Sequence, residues 1–264
     1  MLLKISHRTD YSYETPQLYA LQRLRLTPKS GPTQTVRDWR ISVEGADEEV
    51  VFTDEFMNET RLVSSKGGAH HISIVASGEV ETKETAGVYG PHQGFAPLWL
   101  FEPATGLTTA GDGVKALAKA AAGAGELDRL HSLMALIGER VAYTPGATGP
   151  ETTAEQALGQ GAGVCQDHAH IFLAAARRLG HAARYVSGYL MMNDRVEQAA
   201  SHAWAEAHVS GLGWVAFDPA NGISPDERYV RAAVGRDYRD AMPVSGIRLG
   251  QAGERLAVHI TVEQ

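Results

Sequence analysis

The sequence predicts an α+β protein: a β-sandwich-like N-terminal part, then a part in which one helix packs on an antiparallel sheet. Three observations carry this. Residues 1 to about 95 alternate apolar and polar side chains between proline and glycine turns. The middle of the chain has apolar stripes at helical spacing, and after Ala183 strand-like runs return. At 264 residues with 44% hydrophobic content, there is material for one large core or two modest ones. We divide the chain into 1–95, a β-rich N-terminal domain, and 96–264.

In the first part, Trp39, Ile41 and Val43 alternate with Arg40 and Ser42, and Ile72, Ile74 and Ala76 with His71, Ser73 and Val75. Pro28 to Pro32 and Lys66-Gly67-Gly68 punctuate these runs. His70-His71 is a poor metal pair, because neighbouring strand residues point to opposite faces. Phe95 to Phe101, FAPLWLF, is a dense apolar patch expected to dock one half on the other.

Helical patterns follow through Val114, Leu117 and Ala118, then through Leu127, Leu130, Met134, Ile137 and Val141. Thr152-Thr153-Ala154-Glu155 has the spacing of a capping box opening a short helix that closes at Gly159. A glycine-rich run then leads to Cys165, and Phe172, Ala176 and Leu179 mark a helix stopped by Gly180. Ala183 to Leu190 reads as a strand, Met191 to Ala200 as a loop, and His202 to Val209 and Trp214 to Pro219 as a hairpin about Ser210 to Gly213. Ser224 to Met242 reads as loop with a short strand. Leu256, Val258, Ile260 and Val262 form a closing strand with His259 on its outer face.

Composition narrows the function classes. Net charge is −7, from 24 basic and 31 acidic residues, with no long basic run, which argues against nucleic acid or an anionic membrane as partner. No window reaches the length of a membrane span, and MLLKISHRTD lacks the apolar core of a signal peptide. One cysteine forms no internal disulfide and suits a reducing compartment, so the expected location is cytoplasmic.

The chemistry concentrates in three places. A lone cysteine is ordinarily a small buried hydrophobe, but Cys165 opens a helix, where free backbone N–H groups and the positive end of the dipole favour a thiolate. His202, Trp204, Glu206 and His208 share one strand face. A turn near Ser210 would set His202 opposite Asp218, the arrangement a Cys–His–Asp triad requires. A competing reading ligates zinc through Cys165 and His168, with His170, His202 and His208 in reserve, but His168 and His170 point in different directions on a helix. A non-catalytic binding module is a third reading.

Gly161 to His170, Arg184 to Tyr189, Ser201 to Glu206 and Gly213 to Pro219 resemble the core of the bacterial transglutaminase-like cysteine proteins, which are similar to papain in fold and chemistry. The first hundred residues resemble that group's N-terminal domain, and Val234 to Tyr238 its C-terminal segment. The resemblance implies a papain-like core with Cys165 as nucleophile, His202 as base and Asp218 as orienting acid. It implies acyl transfer at amide bonds through a thioester, by a protease or amidase, or by an amine transferase that cross-links proteins. The family more often has an aromatic residue where His168 stands and threonine where Ala220 stands. The Cys165 backbone N–H is the expected oxyanion donor, with Gln166 and Tyr143 as candidates for a second. The expected partner is an amide-containing peptide or protein, and no cofactor or metal is expected.

Overall fold

The computed structural model describes residues 1–264 except Gln17, Lys66 and residues 250–252, so the Lys66 end of one expected turn lies outside the described residues. The chain opens with β1 (Leu2–Tyr13), β2 (Tyr19–Thr27), β3 (Gln34–Glu44), β4 (Asp47–Thr53), β5 (Glu59–Ser65), β6 (His71–Thr82) and the short β7 (Val88–Gly90). Helices α1 (Asp112–Ala120) and α2 (Glu126–Arg140) follow, then β8 (Ala142–Tyr143), α3 (Ala154–Gln160), β9 (Ala162–Gly163) and α4 (Cys165–Arg178). The rest is β10 (Ala183–Leu190), β11 (Glu197–Gln198), β12 (His202–Val209), β13 (Gly213–Phe217), β14 (Tyr229–Gly235), α5 (Tyr238–Ala241), β15 (Val244–Leu249) and β16 (Glu254–Glu263).

The N-terminal strands form a sandwich. Among the described residues one sheet has the order β11-β16-β1-β6-β3 and the other β15-β2-β5-β4. Leu24, Leu26, Val63, Ile72, Ile74 and Ala76 are buried between them, as the alternation of apolar side chains on inward faces requires. The last two strands of the chain complete these sheets: β15 pairs with β2 from Val244 with Leu24 to Leu249 with Tyr19, and β16 lies antiparallel to β1. Residues that sequence texture places in the second half thus finish the first. The closing strand buries Ile260 and Val262 but leaves Leu256 53% exposed, so its expected apolar face is covered only at one end.

The second layer system is an antiparallel sheet of order β14-β10-β12-β13-β7. On one face lies α4, whose residues from Asp167 to Arg177 are all buried. Ala203, Ala205, Ala207, Val209, Val215 and Phe217 meet it there. Small side chains let the helix approach closely, and Phe172 stacks on Phe217 at 4.9 Å between ring centroids. The other face carries Val186, Trp204 and Trp214 against Phe56, Ala96 and Phe101. Phe101 thus docks the two halves as the FAPLWLF patch suggests, whereas Phe95 and Trp99 are 78% and 62% exposed, correcting the view that the whole patch is an interface.

Segment 224–242 carries the short strand expected of it, and also the one-turn helix α5. That strand is β14, which forms a full antiparallel ladder with β10 interrupted by a bulge at Ser187/Gly188. Two buried amide side chains of the N-terminal part clasp this strand: Gln34 Nε2 donates to the Arg231 carbonyl at 2.9 Å while its Oε1 accepts from the Arg231 N–H at 2.8 Å. Asn58 makes the same pair of bonds with Val234, both 2.8 Å. No helix among the described residues is long and apolar enough to cross a membrane.

Candidate active site

Cys165 is placed by the two elements on either side of it. Gly161 closes α3 in the left-handed region at φ 68°, a conformation a side chain would resist. Its carbonyl and that of Gly163 then accept from the N–H groups of Ala142 and Thr144, pinning β9 to β8 at the end of α2. Gly163 has no alternative, because a Cβ there would lie 2.7 Å from Asp167 Cβ. Asp167 Oδ2 takes the Val164 N–H at 2.8 Å and the Thr148 hydroxyl at 2.6 Å, fixing the first turn of α4. Cys165 is the first residue of that helix, so its own N–H has no intrahelical acceptor. The cysteine is buried to 8% exposure.

His202 opens β12 and is paired with Gly188 of β10. The hairpin register differs from the expected one. Ala205 pairs with Phe217 and Val209 with Gly213, two positions away from a ladder that would set His202 opposite Asp218. A slip of two preserves the face of every side chain, whereas a slip of one would reverse it. Beyond Phe217 the chain bends, with Asp218 bridged to Ile223, and His202 Nε2 reaches Asp218 Oδ2 at 2.6 Å.

The carboxylate is enclosed and fully bonded. Besides His202, Asp218 Oδ2 accepts from Asn221 Nδ2 at 2.7 Å and from the Tyr229 hydroxyl at 2.8 Å, and Oδ1 accepts from the Ala220 N–H at 3.0 Å. Asp218 has no exposed surface. Burial alone would raise its pKa, but the bonds from His202, Asn221 and Tyr229 outweigh it and hold the carboxyl below its ordinary range. Burial likewise pulls the His202 imidazole down. Hydrogen bonds to Asp218 and to Cys165, with the charges of both, reverse this and lift it to about 10. With Nε2 on the carboxylate, Nδ1 is left for the sulfur. The arrangement suits an imidazolium that stabilises a thiolate and returns a proton to a leaving group.

Sequence reading did not find Asn221 and Tyr229. Asn221 follows Asp218-Pro219-Ala220 and could have been noticed as an asparagine capping its own turn. Tyr229 begins β14, and nothing in the local sequence marks its hydroxyl as a partner of Asp218. Of the two side chains considered as a second oxyanion donor, Gln166 turns away to the Pro150 carbonyl at 3.4 Å. Tyr143 is 55% exposed. Burial, then the charges of Cys165 and Asp218, raise its pKa, so it remains a neutral hydroxyl within electrostatic reach of the sulfur.

The remaining histidines are engaged elsewhere. His168 Nδ1 lies 2.9 Å from the Val164 carbonyl oxygen and Nε2 3.0 Å from that of Val141, lacing α4 to the end of α2. That ring has no free lone pair aimed with Cys165 at a metal. His170 Nε2 accepts from the Tyr238 N–H at 3.2 Å. His71 faces Asp10 at 3.3 Å. Among the described residues, no group of three or more His, Cys, Asp or Glu is placed to hold a metal ion. The capping box of α3 is built by Thr153 and Gln156 rather than Thr152 and Glu155. Glu155 instead accepts from the N–H groups of Gly111, Gly113 and Val114 at the start of α1.

Comparison with known proteins agrees with this architecture. Residues 115–219 match the transglutaminase-like superfamily, and residues 3–81 match the bacterial transglutaminase-like N-terminal region. An uncharacterized protein of Mycobacterium leprae is 30% identical over 274 residues, covering 98% of each chain. An uncharacterized protein of Mycobacterium bovis is 38% identical over 115 residues, 40% of this chain and 37% of its own. A crystal structure of a Cytophaga hutchinsonii protein, named a candidate cysteine protease, superposes with a TM-score of 0.78 at 23% identity, covering 100% of this chain and 90% of that one, and so shares the fold. The chain belongs to the transglutaminase-like superfamily and carries that superfamily's bacterial N-terminal region ahead of its core.

Proposed function

We propose that this protein is a cysteine-dependent acyl-transfer enzyme acting on amide bonds of peptides or proteins, with water as the final acceptor, hence a protease or amidase. The observation that supports this reading is one imidazole shared between a saturated carboxylate and the cysteine at a helix start. The Cys165 thiolate attacks the amide carbonyl, and the oxyanion forms beside the Cys165 backbone N–H and the Tyr143 hydroxyl. The C–N bond breaks as the His202 imidazolium gives its proton to the leaving amine, and a thioester remains on Cys165. His202, now neutral, takes a proton from water. Hydroxide adds to the thioester, and the carboxylic acid leaves as the thiolate is restored. Asp218 holds the ring orientation throughout, and Asn221 and Tyr229 hold Asp218. The single free thiol suits a cytoplasmic setting.

The test is to offer glutaminyl peptides with and without a labelled primary amine. Peptide cleavage or ammonia release without amine incorporation is the expected result. Incorporation of the label would make the protein an amine transferase. Failure of every amide, together with slow unselective alkylation of Cys165, would leave a binding module on this fold.

A further inference from the structure

Glu206, on β12 two residues beyond Trp204, is 1% exposed, and both its oxygens are taken. Arg184 Nε donates to Oε2 at 2.6 Å, and Arg231 Nη2 pairs with Oε1. The two guanidinium groups stack on rings: Arg231 lies 4.1 Å from the Tyr89 centroid, and Arg184 4.1 Å from that of Trp214. Two permanent cations against one carboxylate leave this buried cluster with a positive charge it does not neutralise, a costly arrangement unless something compensates. Two buried donors are also left over. Among the described residues neither Arg184 Nη2 nor Trp204 Nε1 has a hydrogen-bond partner.

A cavity opens beside the cluster, walled by Lys83, Tyr89, Trp204, Glu206, Tyr229 and Arg231 among others. It leaves about 30 Å³ for the centres of water-sized guests, enough for one or two such guests and too little for an organic molecule. Asp226 also lines it, but that carboxylate is held by Arg228, with Nη2 to Oδ2 at 2.6 Å. Lys83 adds a further cation at an exposed position. The lining itself has two cations, Lys83 and Arg231, and two carboxylates, Glu206 and Asp226. Both carboxylates are already bonded by arginines, and with Arg184 and Arg228 counted the surroundings carry excess positive charge. Trp204, with its unused indole N–H, is one of the walls. A neutral water would satisfy the N–H but not the charge.

We propose that this cavity binds a small inorganic monoanion of chloride size, held by the Trp204 indole N–H and the Arg231 guanidinium, with Lys83 at its mouth. Two of its walls touch the candidate catalytic pair: Trp204 stacks on His202 with centroids 6.3 Å apart, and Tyr229 donates to Asp218. The anion thus lies behind the imidazole and carboxylate and steadies them from the rear. Its binding does not depend on the cysteine chemistry.

The experiment follows the melting temperature of the full chain, and of Cys165→Ala, in sodium gluconate at constant ionic strength as gluconate is replaced by chloride or bromide. A saturable rise of about 3 °C by tenfold excess over Kd is expected in both. Crystals grown with bromide should show an anomalous peak within hydrogen-bond distance of Trp204 Nε1. Lys83→Gln, at an exposed position, should raise the half-saturating concentration severalfold, and Trp204→Phe should abolish the rise. A flat melting temperature, a cavity without bromide, or unchanged half-saturation in Lys83→Gln would overturn the proposal. If Trp204→Phe fails to fold, the bromide and Lys83→Gln results still decide. The response of Cys165→Ala keeps anion binding separate from any failure of the acyl-transfer reading.

Discussion

His202 Nε2 and Asp218 Oδ2 meet at 2.6 Å although their strands never set them directly opposite. The ladder ends at Ala205 and Phe217, and the bend after Phe217 carries the carboxylate back to the ring. If this contact fixes the tautomer, Asp218→Asn should lower turnover about 10³-fold or more while the far-UV circular dichroism spectrum is kept. Turnover within tenfold of the parent would show that the carboxylate is only structural.

Tyr229→Phe removes one donor from Asp218 and leaves the ring in place. The folded pKa of Asp218 lies below its unfolded value, so the stability it contributes is present above about pH 4 and lost as pH falls through the folded value. Losing the tyrosine hydroxyl moves the folded value upward. The acid limb of a denaturation profile should then begin at higher pH, with about 1.5–3 kcal/mol less stability at neutrality. Urea titrations at several pH values measure both.

Two buried histidines set a second acid dependence. Burial lowers His7 to about 4 and His170 to about 3. The unfolded chain takes up these protons near pH 6.5 and the folded chain does not, so stability should fall as pH drops from 6.5 towards 4, by up to about 1.4 kcal/mol per pH unit for each histidine. His202 has the opposite sign. Raised to about 10, it contributes fully below 6.5 and loses that contribution as pH rises through 10. Replacing His7 by glutamine should remove about half of the acid slope, measured as melting temperature against pH.

Glu206→Gln leaves Arg184 and Arg231 facing each other without their shared carboxylate. A cost of about 3–5 kcal/mol is expected in urea unfolding, because each buried cation loses its partner. A change below about 1 kcal/mol would mean that solvent already screens the cluster.

Much of this could be read from the sequence because its signals are local. The Cys165 helix, the strand from Ala183 to Leu190 and the parity that puts His202 and Asp218 on one side follow from spacing over a few residues. What escaped depends on distant partners. Tyr229 sits in a short strand whose alternation is broken by a bulge and by the inward Arg231, so spacing fixes neither where that strand begins nor which partner the tyrosine meets. Strand β15 owes its place to residues 19–24, more than two hundred positions away. Phe95 and Trp99 look like core by composition, yet among the described residues little folds over them, and they stay 78% and 62% exposed.

The most direct measurement is the rate of Cys165 alkylation by iodoacetamide between pH 5 and 9, for the parent protein and His202→Gln, with the adduct located by mass spectrometry. An ion pair between sulfur and imidazole should keep the parent reactive at pH 6, where the variant, behaving as an ordinary thiol, should slow about tenfold per unit below 8. Superimposable profiles would contradict the pairing of Cys165 with His202 on which the acyl-transfer proposal rests.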